Sequence, residues 1–230
     1  MKKEKFAVIG LGYFGQPLAL SLSDHGIEVL GVDISEDRLE TVKDSIAHTV
    51  VMDTTDLNAL KQLGLEDFDC VIVAIGEDFE ASILTVANLQ ELKVKRIISR
   101  VLSSVHERIL KLMKIEELIL PEGEAAFVLA RQLAVKGIVD HFDISKEYSI
   151  DEVIIPHWAI GKTLAEIDLR KEYNLNLITI IHKTDEEVYV QKGKWLNKKV
   201  LGVPDPDYVC SSKDIFVVFG KNDDIKNFIS

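Results

Sequence analysis

At 230 residues, with 47% hydrophobic and 28% charged side chains, the chain is expected to hold one full domain and a smaller one, with enough apolar material for packed cores. Its formal charge of -11 excludes a broad nucleic-acid footprint, which depends on clustered Lys and Arg. The charged start, Met1 to Lys5, leads into an apolar run too short for a signal segment or a membrane span, so no bilayer crossing is expected.

Up to about residue 138, short β-rich runs alternate with segments of helical spacing. In chain order they read as strand 6–9 and helix 14–25, strand 28–32 and helix 36–43, strand 49–52 and helix 56–63, strand 70–75 and helix 79–91, strand 96–99 and helix 104–113, then strand 117–120 and helix 122–137. Several of the strands are almost continuously apolar, as parallel strands covered on both faces must be. This predicts an α/β fold with a Rossmann-type, doubly wound parallel sheet over residues 1–138. Asp56 is placed to cap the third helix, and Pro121 to open the last.

From residue 139 to 230 the texture changes to a smaller α+β domain. Residues 141–149 are mixed and polar. Strands are expected at 150–155, 177–182, 187–191 and 214–219, with Leu164, Ile167 and Leu169 on one short helix or turn. Cys70 and Cys210 lie far apart in apolar surroundings and read as core residues.

The chemistry-bearing motif is Gly10, Gly12 and Gly15, a G-x-G-x-x-G placed directly after a strand and before a helix. The first glycine permits the tight turn, the second lets a pyrophosphate approach the backbone, and the third allows close helix-to-strand packing. The helix N-terminus then offers free N–H groups to the phosphates. Asp33, closing the second strand, stands where an acid accepts from ribose hydroxyls, and its charge disfavours a 2′-phosphate. Asp53 and Thr54 end the third strand and either face the same crevice or simply start the next helix. Ala74, Ile75 and Gly76 end the fourth strand, where Gly76 allows close backbone approach.

No catalytic set accompanies this motif. His25, His48, His106 and His182 fall in helix-end, strand-start or surface-like contexts, and His141 and His157 in the linker and an early loop, so all six read as structural or solvated. There is no G-x-S-x-G elbow, no P-loop and no H-E-x-x-H helix. The chain is therefore read as a nucleotide-binding protein and not an enzyme. An NAD-dependent oxidoreductase, a cyclic-dinucleotide receptor and a ligand-free interaction module stay open as alternatives.

The runs F-A-V-I-G-L-G-Y-F-G at 6–15, V-L-G-V-D at 29–33, C-V-I-V-A-I-G at 70–76 and I-L-P-E at 119–122 resemble the RCK (KTN) N-terminal domain of regulatory subunits of Trk/Ktr-type potassium uptake systems. The segments I-G-K-T-L at 160–164, I-D-L-R at 167–170 and D-I-F-V-V-F-G at 214–220 are similar to the TrkA-C domain. The resemblance implies a cytosolic homo-oligomer, an octameric ring of dimers, that binds ATP/ADP or NAD/NADH and gates a membrane potassium-translocating subunit. It implies a cofactor-binding set of Gly10, Gly12, Tyr13, Phe14, Gly15, Asp33, Ile34, Asp53, Thr54, Ala74, Ile75, Gly76 and Arg100. Arg100 would be a charge-assisted phosphate donor or else a surface ion-pair partner. Glu122 matches a carboxylate that helps hold a divalent cation (Mg or Ca) in some members, or else is a favourable acid at a helix N-terminus. Tyr13 stands where many Ktr-type loops carry Arg, which favours NAD or ADP. Some relatives bind cyclic di-AMP in the C-terminal domain. Here Ile160 and residues 177–181 would supply its apolar wall, or else belong to the core.

Overall fold

The computed structural model describes residues 3–134, 136–183 and 198–230. The chain divides into two compact units, Met1–Gly123 and Glu124–Ser230. The division falls earlier than residue 138, within the helix the sequence assigns to the end of the first domain.

In the first unit β1 (Lys5–Ile9), β2 (Glu28–Asp33), β3 (His48–Val51), β4 (Cys70–Val73), β5 (Ile97–Arg100) and β6 (Glu117–Ile119) form one parallel sheet. The strand order is β3-β2-β1-β4-β5-β6. The crossovers carry α1 (Gly15–Asp24), α2 (Glu36–Glu40), α3 (Leu57–Lys61), α4 (Phe79–Glu91) and α5 (Ser104–Leu112), and α6 (Pro121–Ala134) follows β6. Strand period two sorts the apolar residues into two layers. Ala7, Ile9, Val71 and Val73 pack with Leu60, Val86, Leu89 and Leu110 on one face. Val8, Cys70 and Ile72 pack with Ala19, Leu39 and Ile46 on the other. Both faces are therefore dry, which explains the near-continuous apolar strands. The strand order reverses between β1 and β4, and ligands of such sheets bind outside the carboxyl ends of the strands at that switch point.

Helix starts follow the expected cap chemistry. The Asp56 carboxylate accepts from the Asn58 and Ala59 backbone N–H groups, Asp78 from Ala81, and Ser103 from His106. Helices expected at 36–43 and 56–63 stop sooner, at Glu40 and Lys61. Their last turns tighten into i to i−3 bonds, Val42 N to Leu39 O and Gln62 N to Ala59 O.

The second unit is a five-stranded antiparallel sheet in the order β10-β9-β11-β8-β7, built from β7 (Ile138–Asp143), β8 (Tyr148–Ile154), β9 (Asn176–Lys183), β10 (Lys198–Val200) and β11 (Asp214–Lys221). Val153, Ile180, Phe216 and Val218 pack with Ile225 and Phe228 of α9 (Asn222–Ile229). Three expectations are corrected here. Residues 141–143 are strand rather than polar linker, α9 was not foreseen, and Leu164, Ile167 and Leu169 belong to two helices, α7 (Leu164–Ile167) and α8 (Leu169–Tyr173). The strand expected at 187–191 lies outside the described residues. Both cysteines are buried and free, and burial pushes each thiol up to about 11.

Two histidines are buried in structural roles. His106 is fully buried, and its Nδ1 accepts from Leu102 N–H at 3.1 Å beside the Phe79 ring. Burial lowers its pKa. His141 lies in β7 with Nδ1 on the buried Asp151 of β8 and Nε2 2.9 Å from the Asp143 carboxylate.

Candidate functional site

The glycine loop joins β1 to α1, and each glycine meets a different demand. Gly10 has φ +91° and lies flat against the end of β4, where an added Cβ would stand 2.9 Å from Ile75 N. At Gly15 an added Cβ would stand 1.8 Å from the Gly10 carbonyl oxygen, so this glycine lets α1 seat on the loop. Gly12 faces open space, its would-be Cβ meeting only Arg38 Nη1 at 4.0 Å. The open face over Gly12 is the approach a pyrophosphate requires.

Asp33 is buried at the end of β2 and helps to build this loop. Its Oδ2 accepts from Leu11 N–H at 2.6 Å and its Oδ1 from Ser35 N–H at 2.9 Å. Arg38 of α2 stands above, Nη1 3.6 Å from Asp33 Oδ2 and Nη2 3.3 Å from Glu77 Oε2. At the end of β3, Asp53 accepts from the backbone and hydroxyl of Thr55, and these bonds hold its carboxyl below the usual range. The Thr54 hydroxyl turns inward to Thr85 at 2.6 Å, while Asn88 donates to the Thr54 and Thr55 carbonyls.

Arg100 ends β5 and ion-pairs with Glu122 at the start of α6. Its guanidinium lies 5.8 Å from the Phe14 ring centroid. An added Cβ at Gly76 would stand 2.2 Å from Arg100 Nη1. Gly76 therefore gives room to a side chain of the same unit.

A crevice of about 650 Å³ opens at the switch point. Its wall brings together Gly10, Gly12, Tyr13, Asp33, Ile34, Asp53, Thr54, Ala74, Ile75, Gly76, Arg100 and Glu122. Phe14 and Gly15 are not in that wall. The Phe14 ring packs into the core layer below and Gly15 abuts Gly10, because both lie on the inward side of α1. The wall also holds Ser35, Arg38, Met52, Thr55, Glu77, Asp78, Glu80, Ala81 and Leu84, which the motif did not indicate. Arg38 had a signal: it lies five residues beyond Asp33, on the short helix that starts directly after the acid.

The TrkA-N domain family model matches residues 6–121 of this chain. The chain is 37% identical over 228 residues to the Ktr system potassium uptake protein C of Bacillus subtilis (strain 168), an overlap of 99% of this chain and 96% of that protein. This chain belongs to the TrkA/Ktr family. Ktr system potassium uptake protein A of the same organism is 31% identical over the same shares of the two chains. The TrkA/Ktr fold is also that of the GsuK RCK domain, at 17% identity and a TM-score of 0.64, with all of this chain matching 48% of that one. The GsuK channel bound to NAD matches at 16% identity and a TM-score of 0.62, this chain spanning 40% of its length.

Glu122, the carboxylate that the resemblance places beside a divalent cation shared between paired subunits, stands at the start of α6. Its carboxylate is paired with Arg100, and among the described residues no three His, Cys, Asp or Glu side chains converge to hold an ion. In the second unit, Ile160, Leu177 and Ile180 pack into the core cluster, while Ile178 is exposed. Among the described residues no helix is long and apolar enough to cross a membrane.

Proposed function

We propose that the chain is a nucleotide-responsive regulatory subunit of a potassium uptake system, acting on a membrane potassium-translocating partner from the cytoplasmic side. The single observation that carries this reading is the crevice at the β1/β4 switch point, where the open face of Gly12, the N-terminus of α1 and the buried Asp33 come together. Its kinship with the Bacillus subtilis Ktr proteins points the same way. The ligand is an adenine nucleotide with the pyrophosphate over Gly12, the ribose hydroxyls on Asp33 and the adenine side toward Ile34, Asp53 and Thr54. Arg100 serves as a phosphate donor, and a phosphate that takes it releases Glu122 at the start of α6. The protein acts as a homo-oligomer, a ring of dimers, with the functional domain boundary at 138/139.

The charge of the crevice favours NAD or ADP over ATP. Six carboxylates (Asp33, Asp53, Glu77, Asp78, Glu80 and Glu122) face two guanidiniums (Arg38 and Arg100), and Tyr13, almost wholly exposed in the loop, adds no cation. Each further phosphate charge enters an already negative site.

Calorimetric titration of nucleotide-stripped protein with ATP, ADP, NAD and NADH, repeated on Gly12→Asp, tests the reading. Micromolar or tighter binding of one of them, lost in the variant, is the expected result. Failure of all four to bind wild-type protein would refute it.

A further inference from the structure

The glycine loop carries no cation of its own, yet a guanidinium stands directly above it. Arg38 Nη1 is the one atom within 4.0 Å of the position a Gly12 Cβ would take, apart from that glycine's own chain neighbours. Resting on the nucleotide reading of the crevice, we propose that Arg38 is the residue that grips the ligand's diphosphate, exchanging Glu77 for a phosphate as the nucleotide enters.

The two anchors of Arg38 are unlike one another. Asp33 is nearly inaccessible, with side-chain exposure of 3%, and is fixed from below by the Leu11 and Ser35 N–H groups. Glu77 is 77% exposed and sits on the loop after β4. The guanidinium is planar and presents donors along several edges, so one edge can stay on Asp33 while another changes partner. An exposed ion pair such as Arg38–Glu77 contributes little to stability, so its loss is a small penalty. A diphosphate over Gly12 carries more charge in total than one carboxylate and accepts from a guanidinium in the same bidentate manner. Glu77 would also repel that phosphate if it stayed in place. The exchange therefore removes a like-charge contact and makes a charge-assisted one in a single movement. Asp33, kept beside Arg38, rules against the alternative use of such an arginine for a 2′-phosphate.

The test is equilibrium titration of the nucleotide-stripped full chain with ADP and with adenosine, on wild type, Arg38→Ala, Arg38→Lys and Glu77→Gln, with thermal unfolding as a check on folding. Arg38→Ala should weaken ADP at least about tenfold, the worth of one charge-assisted contact, and leave adenosine within about twofold. Arg38→Lys should recover part of the ADP loss, because the charge returns without the fork. Glu77→Gln should tighten ADP by roughly two- to fivefold, since a competitor for Arg38 and a like charge are both removed. An equal loss for ADP and adenosine in Arg38→Ala would overturn the proposal by placing Arg38 on the adenosine moiety or in the fold. So would ADP affinity that is unchanged in Arg38→Ala, or weakened in Glu77→Gln. If wild-type protein binds neither ligand, the nucleotide reading itself fails; wild-type binding with an indifferent Arg38→Ala removes only the role of Arg38.

Discussion

Gly15→Ala and Gly12→Ala should separate the two jobs of the glycine loop, building the fold and admitting a ligand. At Gly15 the new Cβ would stand 1.8 Å from the Gly10 carbonyl oxygen, 3.0 Å from the Gly10 carbonyl carbon and 3.1 Å from Ala74 Cβ. Ordinary non-bonded contacts lie near 3.5 Å, so the loop must retreat by about 1.7 Å. It has little freedom to do so: Gly10 holds φ +91°, its N–H donates to Val32 O at 2.8 Å, and it already lies against Ile75. No side chain can rotate to relieve a clash between backbone and Cβ. The cost should be about 3 kcal/mol, the upper end for over-packed positions. In a unit of this size that lowers Tm by roughly 10 °C. At Gly12 the methyl meets only Arg38 Nη1 at 4.0 Å, and the backbone is not in the left-handed region. Stability should therefore stay within about 0.5 kcal/mol. The same methyl fills the approach to the loop, so nucleotide affinity should fall about tenfold or more. Urea unfolding followed by circular dichroism reads the first effect and calorimetric titration the second. A Gly15→Ala protein that unfolds with the wild type, or a Gly12→Ala protein that loses about 2 kcal/mol or more, would refute the assignment of fold to one glycine and ligand to the other.

Three further outcomes are expected. Because Nδ1 of the buried His106 accepts from Leu102 N–H, protonating the ring would break that bond, and burial lowers its pKa. Its contribution to stability is complete above the unfolded imidazole value near 6.5 and declines as pH falls through that value toward the lower folded one. In His106→Asn, whose amide oxygen can accept the same N–H, urea midpoints measured at about pH 7.5 and pH 5 should differ less than in wild type. Asp151→Ala leaves the buried His141 without its β8 partner and should cost about 3 kcal/mol in unfolding of the C-terminal unit. Gly76→Ala pushes on the side-chain end of Arg100 rather than on backbone, so it should change stability by less than about 1 kcal/mol. Calorimetry on the same variant should nonetheless show weaker nucleotide binding, as Arg100 is displaced from the crevice wall.

The Rossmann half was legible because several levels of the sequence agree there. Apolar strands, the spaced glycines and Asp33 fall in register, and Asp33 itself ties the loop down through Leu11 N–H. For Arg38 the spacing after Asp33 was the one signal, and its place over Gly12 was not legible, since that depends on the direction α2 takes after the acid. Nor was the role of Gly76, because which neighbour fills the space beside it is decided by how Arg100 lies against β4. In the C-terminal unit, β7 was hidden by polar residues: His141 and Asp143 read as linker until their pairing across to β8 is seen. Helix α9 did have a signal. Ile225, Phe228 and Ile229 recur at helical spacing after Asp223 and Asp224, with the acids in the first turn.

On the proposed function, the electrostatics of the crevice make ligand entry an exchange rather than an addition. Both guanidiniums of its wall are neutralised by carboxylates, Arg38 by Asp33 and Glu77 and Arg100 by Glu122. A phosphate that recruits either one frees a carboxylate on a different element: the loop after β4 in one case, the first turn of α6 in the other. Affinity per phosphate is then modest, since each new contact replaces an old one. What is gained is a response, because regulation requires that a ligand distinguish two states of the protein, and a ligand bound equally by both shifts nothing. On the proposed function, the two ion pairs would supply that distinction at the point of binding. The second of them lies at the start of the helix within which the chain passes from one compact unit to the next.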